Sequence, residues 1–241
     1  MELATVIVAA PFVAFALLGL VAPLRRAGRP AAWVSLAGSA TSLATSLVLL
    51  ARYRSRMAPD SSEFVWAPLD SVPSIRFGLL IDGLSVPMLA LVSLVALLVQ
   101  LYSLGYMSEE KPAAFGRYFA YHSLFAAAML GLVASHNTLQ TYFFWELVGL
   151  GSYLLIGFWY EKPVASRAAM KAFWVTRLGD VGFALGVILL WSAGGSFVFS
   201  ELFEQAADGR LSGTLLVLGV GGLFLGAMGK SAQFPLHVWL P

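Results

Sequence analysis

Four ionisable residues of this 241-residue chain, Glu146, Arg177, Asp180 and Lys230, lie inside stretches apolar enough to cross a bilayer. A charge at that depth is costly, and intramembrane charges usually mark a path for ions or protons. A glutamate carboxyl and a lysine amine both exchange protons. Burial disfavours the charged form of each, while an opposite charge nearby restores it. A changing Glu146 to Lys230 separation would therefore load or unload the lysine. Arginine stays protonated throughout, so Arg177 can supply a fixed field but carry no proton.

Each residue also has a plainer reading. Glu146 has no charged partner three or four residues away on its own helix, so it is either a locally hydrogen-bonded structural carboxyl or half of an interhelical pair. Arg177 and Asp180, three residues apart, share a helix face and can neutralise each other, which would pin helices together without transport. Lys230 stands before Ser231-Ala232-Gln233-Phe234-Pro235, and could snorkel from a helix end to the interface. Pro235 cannot donate to the preceding turn, so a helix break is predicted there. Interrupted helices inside membranes are places where transport proteins build ion sites.

The composition says what must position these groups. Hydrophobic residues make up 59% of the chain and charged ones 12%, with a mean hydropathy of +0.80, outside the range of a soluble domain. A net charge of +2 without a basic stripe excludes a nucleic-acid partner. Cysteine is absent, which removes disulfides, thiolate ligands and cysteine nucleophiles. His122, His136 and His237 fall in separate segments, so no local metal motif exists. The apolar start, Leu3 to Leu20, has the length of a signal peptide but carries Glu2 and no basic n-region, and it reads as a retained first helix.

At about 20 apolar residues per crossing, seven spans are predicted: Leu3 to Val21, Ala32 to Ala51, Leu79 to Tyr106, Tyr118 to Ser135, Leu139 to Tyr160, Ala168 to Trp191 and Thr214 to Gln233. The fold class is all-α, a polytopic transmembrane bundle with a broken helix near Lys230. Short connections make successive helices antiparallel neighbours. In the longer connection Arg52 to Gly78, the runs Phe64-Val65-Trp66 and Ile75-Arg76-Phe77 flank a turn region with Pro68, Asp70 and Pro73, predicting a short extramembrane hairpin. Between Gly194 and Gly213, Ser200 followed by Glu201 and Glu204 predicts a short surface helix capped by the serine. Arg25, Arg26, Arg29, Lys111, Arg117, Lys162, Arg167 and Lys171 fall on one side. Arg52, Arg54, Arg56, Arg76 and Arg210 fall on the other, all in the two long loops, which count for less in the positive-inside rule. That rule then puts the N-terminus outside.

Four strings carry a family resemblance: Leu80-Ile81-Asp82-Gly83-Leu84-Ser85, the run Trp145-Glu146-Leu147-Val148-Gly149-Leu150-Gly151, the run Thr176-Arg177-Leu178-Gly179-Asp180, and Gly229-Lys230-Ser231-Ala232-Gln233-Phe234-Pro235. From about Leu79 onward the chain resembles the largest antiporter-like membrane subunit of proton-pumping NADH:quinone oxidoreductase, respiratory complex I, called chain L in bacteria. Relatives of that family include subunits of Mrp-type antiporters and inorganic-carbon uptake systems. The resemblance implies proton translocation through a Glu146 and Lys230 pair modulated by Arg177 and Asp180. It also implies other membrane subunits and lipid as partners, protons (or sodium) as the only substrate, and no cofactor or metal in this chain. The redox sites belong to other subunits, so the chain itself would be a non-redox part of the enzyme. The implied location is a bacterial inner membrane, as an integral multi-pass protein. The domains expected are a two-helix segment with its loop over 1–78, and an antiporter-like bundle over 79–241, the first of two inverted repeats and incomplete at its C-terminal end. Family members are far longer, so this stretch is expected to hold one half-site and no complete proton path. The alternatives are a cation/proton antiporter or carbon-uptake module, and a structural chain that no longer pumps.

Overall fold

The computed structural model describes residues 1–56, 59–67 and 75–241. It is 76% helical. In chain order the elements are α1 (Glu2–Leu20), α2 (Ala22–Arg26), α3 (Arg29–Arg56), β1 (Asp60–Ala67), β2 (Ile75–Ile81), α4 (Ser85–Tyr106), α5 (Pro112–Val133), α6 (Thr138–Ile156), α7 (Pro163–Gly194), α8 (Phe199–Ala207), α9 (Gly213–Lys230) and a 3-10 turn (Leu236–Trp239). Among the described residues five helices, α1, α3, α4, α7 and α9, are long and apolar enough to cross a membrane. The 22 residues of α5 and 19 of α6 stand where two further spans were predicted. Their hydropathy is lowered by Arg117 and His122 on α5 and by Gln140 and Glu146 on α6.

Local chemistry explains where the helices start. Pro112 and Pro163 open α5 and α7 at positions whose missing N–H has no intrahelical partner to lose. Asn137 caps α6, its side chain accepting from Gln140 N at 2.8 Å. The predicted span from Leu79 is corrected: Leu79 to Ile81 belong to β2, and the helix begins only at Ser85. The Asp82 carboxylate ends the strand by accepting from the backbone N–H groups of Leu84 and Ser85 at 3.0 and 2.7 Å, while Ser85 Oγ accepts from Asp82 N.

The chain forms two compact units, one of Met1–Ser62 with Leu79–Ser135, the other of Glu63–Gly78 with His136–Pro241. In the first, Ile7, Ile81, Val86, Leu89 and Leu130 make an apolar core. Buried serines join its helices. Ser35 Oγ lies 2.6 Å from Ser123 Oγ, Ser42 Oγ donates to Ile7 O at 2.7 Å, and Ser46 Oγ is 3.3 Å from Ser93 Oγ. Such hydroxyls hold helices together where lipid offers no competing partner.

In the second unit α7 packs closely on α9 along glycines. A Cβ at Gly222 would stand 2.5 Å from Gly182 O, and one at Gly226 2.6 Å from the Phe183 ring. The opposite side of α7 presents Trp174, Leu178, Val181, Leu185 and Ile188, each more than half exposed. Spaced four, three, four and three apart, they form one stripe that suits acyl chains or a neighbouring subunit.

The hairpin is present as a two-stranded sheet of β1 and β2. Its turn, with Pro68, Asp70 and Pro73, lies outside the described residues. Gln140 clamps β2: its Oε1 accepts from Gly78 N at 2.9 Å and its Nε2 donates to Gly78 O at 2.8 Å, all buried. Gln140→Leu leaves both Gly78 groups unpaired, and should lower stability by about 2–4 kcal/mol. Thermal unfolding in detergent measures this, and an unchanged midpoint would show that water replaces the clamp.

The short helix α8 is found, but its expected cap is corrected. It begins at Phe199 with Val198 at the cap position, so Ser200 lies inside it. Backbone bonds from Thr138 N to Phe197 O and from Phe199 N to His136 O tie this stretch to the start of α6. Ser196 Oγ instead accepts from Val198 N at 3.1 Å.

The helix break stands at Lys230, before the proline that pointed to it. Gln233 N donates to Met228 O at 3.0 Å and Ala232 N to Gly229 O at 3.4 Å, with Ala232 at φ 50°. This is a Schellman stop with alanine in the left-handed position where glycine is usual. Trp239 Nε1 also donates to Gly229 O at 2.9 Å, so the returning 3-10 turn adds a second, shorter bond to the carbonyl that Ala232 N reaches at the break.

Candidate functional site

Three helices of the second unit bring the four charges into one row. α6 contributes Glu146, α7 contributes Arg177 and Asp180 one turn apart, and the end of α9 contributes Lys230. Arg177 Nη1 pairs with Glu146 Oε2. The same Nη1 lies 4.0 Å from Asp180 Oδ2, and Lys230 Nζ lies 3.3 Å from that oxygen. The order is acid, base, acid, base. The row is neutral when all four are ionised, which is how charges are tolerated in an apolar interior.

Burial is uneven along the row. Asp180 is 2% exposed at its side chain and Lys230 15%, against 21% for Glu146 and 29% for Arg177. Glu146 Oε1 is buried without a hydrogen-bond partner among the described residues. Lys230 is therefore not a snorkelling side chain: its ammonium turns inward onto a carboxylate. The direct pairs are Glu146 with Arg177 and Lys230 with Asp180, so the two α7 residues stand between Glu146 and Lys230 in the row.

Two neighbours were not singled out from the sequence. Trp145 Nε1 donates to Asp180 Oδ1 at 2.6 Å, and Lys230 Nζ sits 5.4 Å from the centroid of the same indole. One turn further along α6, a Cβ at Gly149 would stand 2.7 Å from Lys230 Nζ. Glycine there leaves the space that the ammonium occupies. The adjacency of Trp145 to Glu146 was visible, but a tryptophan in an apolar span reads as packing. Arg177 is further held over the Phe173 ring at 4.6 Å, a stacking arrangement open to guanidinium. No cluster of three or more metal-ligating His, Asp or Glu side chains exists among the described residues.

The comparisons with known proteins give the class to which this helix bundle belongs. Residues 135–241 match the family described as NADH:quinone oxidoreductase/Mrp antiporter, transmembrane. Residues 66–119 match the family described as NADH-ubiquinone oxidoreductase (complex I), chain 5 N-terminus. The chain belongs to the family of antiporter-like membrane proteins shared by NADH:quinone oxidoreductases and Mrp antiporters.

Among its relatives, NAD(P)H-quinone oxidoreductase subunit 5 of the Paulinella chromatophora chromatophore is 42% identical over 233 residues, covering 95% of this chain and 34% of the relative. The chloroplastic subunit 5 of Anthoceros angustus is 50% identical over 171 residues, 69% of this chain and 23% of the relative. Chain 5 of Synechocystis sp. is 49% identical over 180 residues, 73% and 26% respectively. The chain thus spans about a quarter to a third of the length of these relatives. The chain is an integral multi-pass membrane protein, and because the origins of its relatives include chloroplasts and a cyanobacterium, the bacterial inner membrane is not singled out. In fold, it matches a chain of the membrane-bound sulfane sulfur reductase, an archaeal respiratory membrane complex. The TM-score is 0.81 at 18% identity, covering 99% of this chain and 47% of that one.

Proposed function

We propose that this chain supplies a proton-translocating element to an NAD(P)H-quinone oxidoreductase of the complex I type, with Glu146, Arg177, Asp180 and Lys230 as its working residues. The observation that carries this reading is the alternating charge row inside an apolar bundle. On this reading, residues 79–241 correspond to the first antiporter-like repeat, other membrane subunits and lipid cover the exposed apolar stripe of α7, and electron transfer takes place elsewhere in the complex.

The steps follow from charge. A proton arriving on Glu146, whose Oε1 has no other partner, neutralises the acid that holds Arg177. The row then carries a charge of plus one. Arg177, already 4.0 Å from Asp180, turns to that carboxylate and displaces Lys230 from it. An ammonium deprived of its counter-ion in an apolar interior releases its proton. The row is neutral again, with one proton taken up at Glu146 and one given off at Lys230.

The test is Lys230→Ala in the assembled complex, reconstituted in proteoliposomes. The protons moved per electron pair should fall by the share of this subunit while quinone reduction continues. An unaltered ratio would remove the basis of the reading.

A further inference from the structure

We infer that Trp145 is a positioning residue for proton release at Lys230, and that Gly149 is the notch in which the ammonium sits. The inference rests on the proposed role of Lys230. Asp180 has two oxygens with different partners: Oδ1 accepts from the Trp145 indole at 2.6 Å, and Oδ2 meets Lys230 at 3.3 Å. The indole thus fixes the carboxylate on one side and presents its face to the amine on the other. Packing alone accounts for part of this, since the Trp145 ring also lies 4.9 Å from the Phe183 ring, centroid to centroid. Packing does not require the one polar atom of the indole to meet the carboxylate shared with Lys230.

The consequence is chemical. A hydrogen bond from the indole disperses the charge on Asp180 and weakens its hold on the lysine proton. Without that bond the carboxylate grips Lys230 more firmly, and release needs a more alkaline medium. The other titratable or charged groups around Asp180 are Arg177 on its own helix, Glu146 and Tyr142 on α6, and Lys230 on α9. His237 of the 3-10 turn packed against α7 is exposed. Gly149 matters for a steric reason: a methyl group 2.7 Å from Nζ would push the ammonium off the ring and away from Asp180. Glycine inside a membrane helix is otherwise a poorer helix former than alanine.

The experiment follows proton pumping against pH in the assembled complex. Trp145→Phe keeps the ring and removes the N–H. Its pumping profile should move to alkaline pH by about one unit, with assembly and quinone reduction retained. An unshifted profile overturns the inference. If Trp145→Phe does not assemble, Gly149→Ala decides, because alanine favours the helix: several-fold slower pumping supports the notch and wild-type pumping overturns it. Lys230→Ala separates the two layers. Should it pump normally, the functional reading falls and this inference with it. Should it fail to pump while Trp145→Phe keeps the wild-type profile, only the role of Trp145 falls.

Discussion

Replacing Asp180 by alanine should destabilise the second unit by about 3–5 kcal/mol, the cost of stranding buried opposite charges, and should abolish proton transport. Asp180 is the best-buried member of the row, and three donors converge on its carboxylate: the Trp145 indole, the Lys230 ammonium and, more distantly, the Arg177 guanidinium. Removing it leaves two cations to share the single acid Glu146. Asp180→Asn separates stability from transport, because the amide still accepts from the indole but carries no charge. It should fold with a smaller penalty and still fail to pump. Thermal unfolding in detergent reads the first quantity and proton flux in proteoliposomes the second. Normal flux in Asp180→Asn would mean that Glu146 and Lys230 communicate without α7.

Glu146→Gln should reduce transport through this chain by roughly 100-fold, the scale of losing a positioned proton acceptor, while leaving assembly intact. The substitution imitates the protonated glutamate permanently. Arg177 then has only Asp180 to turn to, Lys230 stays displaced, and the cycle cannot reset. The variant should keep electron transfer and lose proton movement, measured together in one preparation. Undiminished pumping in this variant would show that Glu146 merely anchors α6 to α7.

Much of this arrangement was legible from residue types. Helices of about 20 apolar residues announce themselves by length, and the four charges stand out because lipid makes them costly. Their pairing was not legible. Which acid meets which base depends on how α6, α7 and α9 are rotated about their axes, and a single sequence does not record rotation. Glu146 therefore read as a partner for Lys230, whereas Arg177 takes it directly. Trp145 and Gly149 escaped because apolar residues in an apolar helix carry no contrast. The start of α4 escaped for the same reason: Leu79 to Leu84 are as apolar as the helix that follows. The Asp82 and Ser85 pair was the local signal that a strand ends there. At the break, Pro235 marked the right neighbourhood, but the stop is made by Ala232 and the backbone bonds around it.

The most direct measurement is a double-mutant cycle of proton flux through the wild type, Glu146→Gln, Lys230→Ala and the variant carrying both. If charge passes along the row, the double variant Glu146→Gln with Lys230→Ala should transport no worse than either single variant, because each already interrupts the same path. Losses that multiply independently would contradict a connected row and would assign the two ends to separate routes.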